Sequence, residues 1–193
     1  MVMRSADRTN DWQIKQEAIR TWTNNPCGAV YVEHPVGSKE FFEAMRYFRY
    51  SRGCPYLLKE VDFANYKNKK LLEIGCGLGI DLVSFARAGA IVTGVDLTPR
   101  SIELCHEQFQ IYGLEARFLV ADAENLPFPD ENFDVVYSFG VLHHTPNIQK
   151  AISEIHRVLK PKGEALVMVY NKNSAFYLLS RHFGWHLFIK ATK

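Results

Sequence analysis

The sequence predicts an α/β protein: a Rossmann-like, doubly wound, mostly parallel sheet with helices on both faces and an N-terminal helical lid. From Lys69 onward, short apolar strand patterns alternate with helix patterns, which is typical of βαβ units. A glycine-rich loop follows the first of these strands. Before it, residues 11–63 are rich in aromatic residues and have helical periodicity. We therefore divide the chain into a helical extension, residues 1–68, and a Rossmann-like domain, residues 69–193.

Two helices and a short helical piece are predicted in the extension. The first helix begins near Asp11 and ends at the Asn-Asn-Pro-Cys-Gly break over 24–28. The second is capped by Ser38 and ends at 53–55, and the short piece follows from Tyr56. Each long helix carries an apolar stripe. The stripes are Trp12, Ile19 and Trp22 in the first helix, and Phe41, Phe42, Met45 and Phe48 in the second. We expect these helices to lie across a ligand pocket.

The remainder of the chain predicts five strands and three helices in alternation. The predicted strands are 71–74, 91–95, 117–120, 133–138 and 164–170. The predicted helices are 80–88, 98–113 and 148–159. Thr98 and Pro99 are favoured at the start of a helix, as its cap and its first residue. In such a sheet, ligands bind beyond the carboxyl ends of the strands, where the strand order reverses.

Composition argues against several classes of protein. The 193 residues suffice for one domain with a short extension. The formal net charge is +2 with acids and bases interspersed, whereas binding to nucleic acid through its backbone needs a basic patch. The four cysteines form no C-x-x-C pair, so we expect free thiols and no metal site. No apolar stretch reaches the roughly 20 residues of a membrane span, and no secretory signal is visible. The expected location is the cytoplasm.

The loop after the first strand has the pattern E-x-G-x-G-x-G, with Glu73 two residues before Gly75. A dinucleotide fingerprint would need its third glycine where Ile80 stands. A carboxylate beside the loop disfavours a pyrophosphate and favours a cationic amino-acid group. The alternative is a tight structural turn without a ligand.

Two further acids follow neighbouring strands. Asp96 ends the second strand, about 20 residues beyond the glycine loop, where such an acid binds ribose hydroxyls. Asp122 follows the third strand, from where it can reach an adenine amino group. Taken singly, the first could be a solvated loop aspartate and the second a turn or cap aspartate. Together with the glycine loop they predict a site for an adenosyl ligand.

Residues 70–170 resemble the class I S-adenosylmethionine-dependent methyltransferases that act on small molecules. The motifs that carry the resemblance are LLEIGCGLG, VTGVDLT, ADAENLPFPDENFDVVYSFGVLHH and EIHRVLKPKGEALVMVY, in that order. The resemblance implies S-adenosylmethionine as cofactor and a small-molecule acceptor. The implied cofactor-binding residues are Glu73, Gly75, Cys76, Gly77 and Gly79 at the methionine moiety, Asp96 and Leu97 at the ribose and adenine, Asp122 and Ala123 at the adenine edge, and Ser138 under the methionine group.

The C-terminal end departs from this family, whose sheet usually ends with two further strands in an antiparallel hairpin. After Tyr170, the sequence has only one helix-like stretch, Ser174–Lys190. We therefore expect either a shortened sheet or a truncated chain. The stretch is apolar on more than one face, which predicts docking against the sheet edge or a second copy of the chain. A homodimer is thus possible.

Two histidines are the candidate catalytic residues. The donor is an activated sulfonium, so the chain need only align the acceptor, exclude water and, for some acceptors, remove a proton. His143 and His144 follow the fourth strand, and a neutral imidazole is a plausible base. Alternatively, they cap or pack in the loop before Pro146. Arg46, Tyr47 and Arg49 are candidates for contact with the substrate or the cofactor carboxylate, the alternative being packing or solvated roles.

Two other functions compete with a methyltransferase. A nicotinamide-dependent oxidoreductase on a related fold is the first, although Ile80 and Glu73 disagree with its fingerprint. The second is a non-catalytic methyltransferase-like subunit that binds the cofactor or a partner.

Overall fold

A computed structural model of the chain describes residues 5–26, 29–170 and 186–193, with side chains from residue 10 onward and, in the last range, from residue 188. The strands within these ranges are β1 (Lys70–Ile74), β2 (Ile91–Asp96), β3 (Arg117–Val120), β4 (Phe133–Phe139), β5 (Leu159–Tyr170) and β6 (His186–Thr192). They form one sheet in the order β3-β2-β1-β4-β5-β6. Neighbouring strands are parallel except β5 and β6, which are antiparallel.

Helices cover both faces of the sheet. They are α1 (Ser5–Asn24), α2 (Lys39–Phe48), α3 (Leu57–Glu60), α4 (Ile80–Arg87), α5 (Pro99–Tyr112) and α6 (Ile148–Val158). Successive residues of a strand point to opposite faces, so Leu71 packs in one buried cluster with Phe85 of α4, whereas Leu72 packs in another with Ile155 of α6. This arrangement confirms the doubly wound, mostly parallel fold.

The strand order reverses between β1 and β4. From β1 the chain passes through α4 to β2 and then to β3 on one side, and β4 returns to the other side of β1. The loops at Gly75 and Gly140 therefore leave adjacent strands at the same edge of the sheet. Such a switch point is where α/β sheets bind ligands.

The predicted helix over 174–190 is wrong where the structure describes it. Residues 186–192 form β6, which pairs along β5 from Tyr170↔His186 to Glu164↔Thr192. The rest of the prediction lies outside the described residues. This stretch is apolar on more than one face, which does not suit a surface helix with one polar face. As an edge strand, its backbone groups pair with those of β5. Within the described residues, the sheet is shortened: it ends with a single antiparallel strand.

The extension packs closely on the domain. The helix predicted to begin near Asp11 starts at Ser5. Ser38 caps α2 as predicted, because its Oγ accepts a hydrogen bond of 3.1 Å from the Phe41 amide. The buried side chains of α2, which are Phe41, Phe42 and Met45, contact Leu78, Ile80 and Leu104. Leu57 and Tyr66 share the buried cluster of Leu71. Of the six helices, α1 is the one with no described side chain in any buried cluster.

The structure also bears on two expectations from composition. Cys54, Cys76 and Cys105 are buried cysteines outside any disulfide bond, and Cys27 lies outside the described residues. No helix within the described ranges is long and apolar enough to cross a membrane.

Candidate functional site

The glycine loop lies over the end of β2. The amides of Gly75 and Cys76 both donate to the Val95 carbonyl oxygen, at 2.8 and 3.0 Å. Gly75 has a φ of 71°, and a Cβ there would lie 2.2 Å from a methyl group of Val141, so only glycine fits. Gly77 has a φ of 54°, and a Cβ there would meet no atom within 4 Å. The loop thus presents bare backbone to open space, while Gly79 immediately precedes α4.

Asp96 is held rigidly beneath this loop. Its Oδ2 accepts a hydrogen bond of 3.0 Å from the Gly77 amide, and its Oδ1 accepts one of 2.9 Å from the Thr98 amide. The Thr98 hydroxyl also donates to Oδ1. Thr98 is the N-cap residue of α5, as predicted, but its hydroxyl orients Asp96 instead of capping the helix. A carboxylate accepts about four hydrogen bonds, so Asp96 retains capacity for a ligand hydroxyl.

An open cleft lies above the strand ends. It brings together predicted site residues from several segments. They are Gly75, Gly77, Asp96, Leu97, Asp122, Ala123 and His144. Helix α1 supplies a further wall through Lys15, Ile19 and Trp22. The cleft is thus bounded by the strand ends on one side and the extension on the other.

A second pocket adjoins the cleft and shares Gly75, Gly77 and Phe139 with it. Its walls include Glu73 and Cys76. Glu73 is only 4% exposed, and its Oε2 has no hydrogen-bond partner among the described residues. Burial raises the pKa of Glu73 well above its ordinary value, and the charge of Asp81 raises it further. A carboxyl group with one unpartnered oxygen therefore lines a pocket that adjoins the cleft.

Asp81 and Arg49 also line the second pocket. The Arg49 guanidinium pairs with both carboxylate oxygens of Asp81, with Nε 3.1 Å from Oδ1. The hydroxyls of Tyr50 and Tyr137 donate to the same carboxylate at 3.0 and 2.8 Å. The guanidinium also lies 3.9 Å from the centre of the Phe139 ring. Sequence reasoning missed Asp81 and Tyr137; an acid in the first turn after the glycine loop was the available signal.

Asp122 is part of an ion-pair cluster. Its Oδ2 is 2.7 Å from Nζ of Lys15, which is also 2.8 Å from Oε2 of Glu124. Its Oδ1 accepts a hydrogen bond from the Glu124 amide at 2.9 Å. Sequence reasoning did not anticipate Lys15 or Glu124, because the contact joins residues more than 100 positions apart.

Three other predicted residues have well-defined surroundings. Ser138 is fully buried, and its hydroxyl donates to the Ile74 carbonyl at 3.1 Å, which ties β4 to β1. His144 borders the cleft, with its ring edge-on to Trp22 at a centroid distance of 5.9 Å. His143 packs between His144 and Tyr170, at centroid distances of 4.1 and 4.4 Å. Of the two histidines, His144 is therefore the one placed on the cleft.

Comparison with known proteins identifies the family. The family model described as a methyltransferase domain matches residues 72–167, which include the glycine loop, Asp96 and Asp122. These residues form a class I methyltransferase domain. The match favours this function over a nicotinamide-dependent oxidoreductase.

Relatives of this methyltransferase domain differ in what they methylate. A sterol 4-C-methyltransferase of Caenorhabditis elegans is 40% identical over 103 residues, which are 52% of this chain and 31% of that protein. A ubiquinone biosynthesis O-methyltransferase of Pseudomonas syringae is 36% identical over 121 residues, 61% of this chain and 51% of that one. The chain thus spans about half or less of these relatives. The crystal structure of the PH0226 protein of Pyrococcus horikoshii matches with a TM-score of 0.60 and 25% identity, over 80% of this chain and 68% of that chain.

Proposed function

We propose that the protein is an S-adenosylmethionine-dependent methyltransferase that acts on a small-molecule acceptor. The observation that carries the proposal is the buried, unpartnered Oε2 of Glu73, a residue that lines a second pocket next to the cleft, with Gly75 and Gly77 in the walls of both. A buried polar atom without a partner is unfavourable, so it favours a ligand that supplies one. The amino group of the cofactor's methionine moiety is such a ligand.

The remaining residues fit the other parts of the cofactor. Asp96 is oriented by two backbone amides and would accept hydrogen bonds from the ribose hydroxyls. Leu97 and Ala123 offer apolar surface for the adenine, and Asp122 lies at its edge. When bound, the cofactor supplies a methyl group on a positively charged sulfur, which is transferred by in-line displacement.

His144 is the proposed base for acceptors that must lose a proton. It borders the cleft beside Trp22, and its ring packs against the ring of His143. The cleft near His144 is lined by apolar side chains of Ile19, Trp22 and Val141. Because the relatives named above methylate a sterol or act in ubiquinone biosynthesis, we propose an apolar small molecule as the acceptor.

We also propose that the extension acts as a lid on the domain, with α1 as the part that moves. The later part of residues 1–68 shares the core of residues 69–193, whereas α1 contributes mainly to the cleft wall. A cytoplasmic location and a homodimer stay predictions from the sequence.

Calorimetry with S-adenosylmethionine, with its demethylated product and with NAD tests the proposal. We expect the first two to bind the wild-type chain, and Asp96→Ala to abolish the binding. Transfer of a labelled methyl group to acceptors in a metabolite extract then tests catalysis. Binding without transfer would favour a non-catalytic subunit, and binding of NAD alone would overturn the proposal.

A further inference from the structure

Lys15 of α1 reaches from the extension into the cleft and ends between two carboxylates. Its Nζ lies 2.7 Å from Oδ2 of Asp122 and 2.8 Å from Oε2 of Glu124. The Lys15 side chain is 15% exposed and that of Glu124 only 4%, so water screens this cluster poorly. Lys15 thus forms a partly buried ion pair that connects α1 to the loop after β3.

The cluster extends to the loop that carries His144. Oε1 of Glu124 accepts a hydrogen bond of 2.8 Å from the amide of Asn147, the residue before α6. Lys15 therefore joins three segments that border the cleft: the lid helix, the loop after β3 and the loop after β4. The position of α1 is thereby coupled to the position of both loops.

The charges within the cluster make Lys15 necessary for this arrangement. Burial lowers the pKa of Lys15, but the hydrogen bonds and charges of Asp122 and Glu124 outweigh it and raise the pKa above its ordinary value. The ammonium group therefore stays charged at neutral pH. Without it, two nearby carboxylates would repel each other, one of them almost fully buried.

We propose that Lys15 is a positioning residue that latches α1 over the cleft and holds Asp122 in place for the adenine of the bound cofactor. The inference rests on the proposed function. Lys15 occupies one side of Asp122 Oδ2, and a carboxylate accepts further hydrogen bonds, so the carboxylate that the latch holds in place also has capacity for the base amino group. Closure of α1 and retention of the cofactor are therefore coupled.

The variant Lys15→Met tests the latch, and Arg20→Met is the matched control. Arg20 is an exposed base on the same helix, so its replacement removes an equal charge without touching the cleft. We expect Lys15→Met to lose hydrogen-exchange protection of the α1 amides in the ligand-free chain. We expect it also to release S-adenosylhomocysteine at least about fivefold faster, the lower end of typical coupling between two sites. Arg20→Met should leave both quantities as in the wild type, and Lys15→Arg should restore part of each.

The outcomes separate the latch from the proposed function. Equal α1 exchange in Lys15→Met and Arg20→Met would overturn the latch, whether or not the cofactor product binds. Failure of the wild type to bind the product would instead overturn the proposed function, since the exchange experiment needs no ligand. If Lys15→Met does not fold, the double variant Lys15→Met/Glu124→Gln removes the buried charge and keeps an oxygen for the Asn147 amide. The same exchange comparison then decides.

Discussion

Replacing Glu73 by glutamine should stabilise the ligand-free protein and weaken binding of the cofactor. In the wild type, the folded protein holds a buried carboxyl group with one unpartnered oxygen beside the negative charge of Asp81. Glutamine has nearly the same shape but carries no charge. If Glu73 served only packing, its replacement would lower the stability of the protein. A gain in stability together with a loss of cofactor affinity is therefore specific to a binding role.

The stability change depends on pH in a defined direction. Burial raises the folded-state pKa of Glu73, so the folded chain retains a proton that the unfolded chain releases above about pH 4.3. The wild type therefore loses stability as the pH rises through the interval between the unfolded and the folded pKa, and Glu73→Gln does not. The difference grows by about 1.4 kcal/mol per pH unit within that interval. For a chain of this size, this corresponds to about 3 to 5 °C in melting temperature per unit.

The binding change follows from the loss of a hydrogen bond between charged groups. Such a bond contributes about 1.5–3 kcal/mol, so Glu73→Gln should bind S-adenosylmethionine roughly 10- to 150-fold more weakly. Calorimetry measures the affinity, and melting curves from pH 5 to pH 8 measure the stability. Glu115→Gln is the control, because Glu115 is exposed in the loop before β3. A variant that melts below the wild type at every pH would refute the reasoning, since Glu73 would then be charged and paired in the ligand-free protein.

Three further predictions test other parts of the site. Gly77→Ala places a side chain at a positive φ in the open space of the loop. We expect melting curves to show about 1–2 kcal/mol of destabilisation, and calorimetry to show a cofactor affinity reduced more than tenfold. Tyr137→Phe removes a hydrogen-bond donor from the buried carboxylate of Asp81. Denaturant titration should show a free energy of unfolding lower by about 1–3 kcal/mol, and an unchanged midpoint would contradict a stabilising role for this hydrogen bond. His144→Ala should reduce the rate of methyl transfer about 10²–10⁴-fold for an acceptor that loses a proton, while the affinity for S-adenosylhomocysteine stays unchanged. His143→Ala should have a smaller effect on the rate in the same assay.

Local sequence patterns predicted most of the domain because they depend on near neighbours in the chain. The strands before and after the glycine loop, the cap at Ser38 and the aspartate at the end of β2 all lie where the sequence placed them. Thr98 shows the limit of such rules. Its position before the helix was predicted correctly, but its hydroxyl donates a hydrogen bond to Asp96 and does not cap the helix. A helix cap needs the hydroxyl oxygen as an acceptor for a helix amide, whereas here the hydroxyl donates its hydrogen to Asp96, and a sequence rule for caps considers only the first interaction.

The remaining features depend on contacts between distant segments. Residues 186–190 of β6 were predicted as the end of a helix-like stretch, and pairing with β5 makes them a strand. The contacts of Lys15 with Asp122 and of Arg49 with Asp81 likewise join the extension to the domain. Nothing in the local sequence marks these bases as partners of those acids.

The acids around the site differ in the groups that pair with their carboxylates, and this difference indicates where a positively charged group of a ligand would bind. Asp81 is paired with Arg49, Asp122 and Glu124 share Lys15, and Asp96 is held by two backbone amides. Among these described acids, Glu73 is the one with an unpartnered buried oxygen. A ligand that carried positive charge only at the adenine end would meet acids that are already neutralised. The charge distribution therefore favours a ligand whose amino group lies in the second pocket beside Glu73 while its apolar base lies under α1, because that orientation supplies Glu73 with a partner.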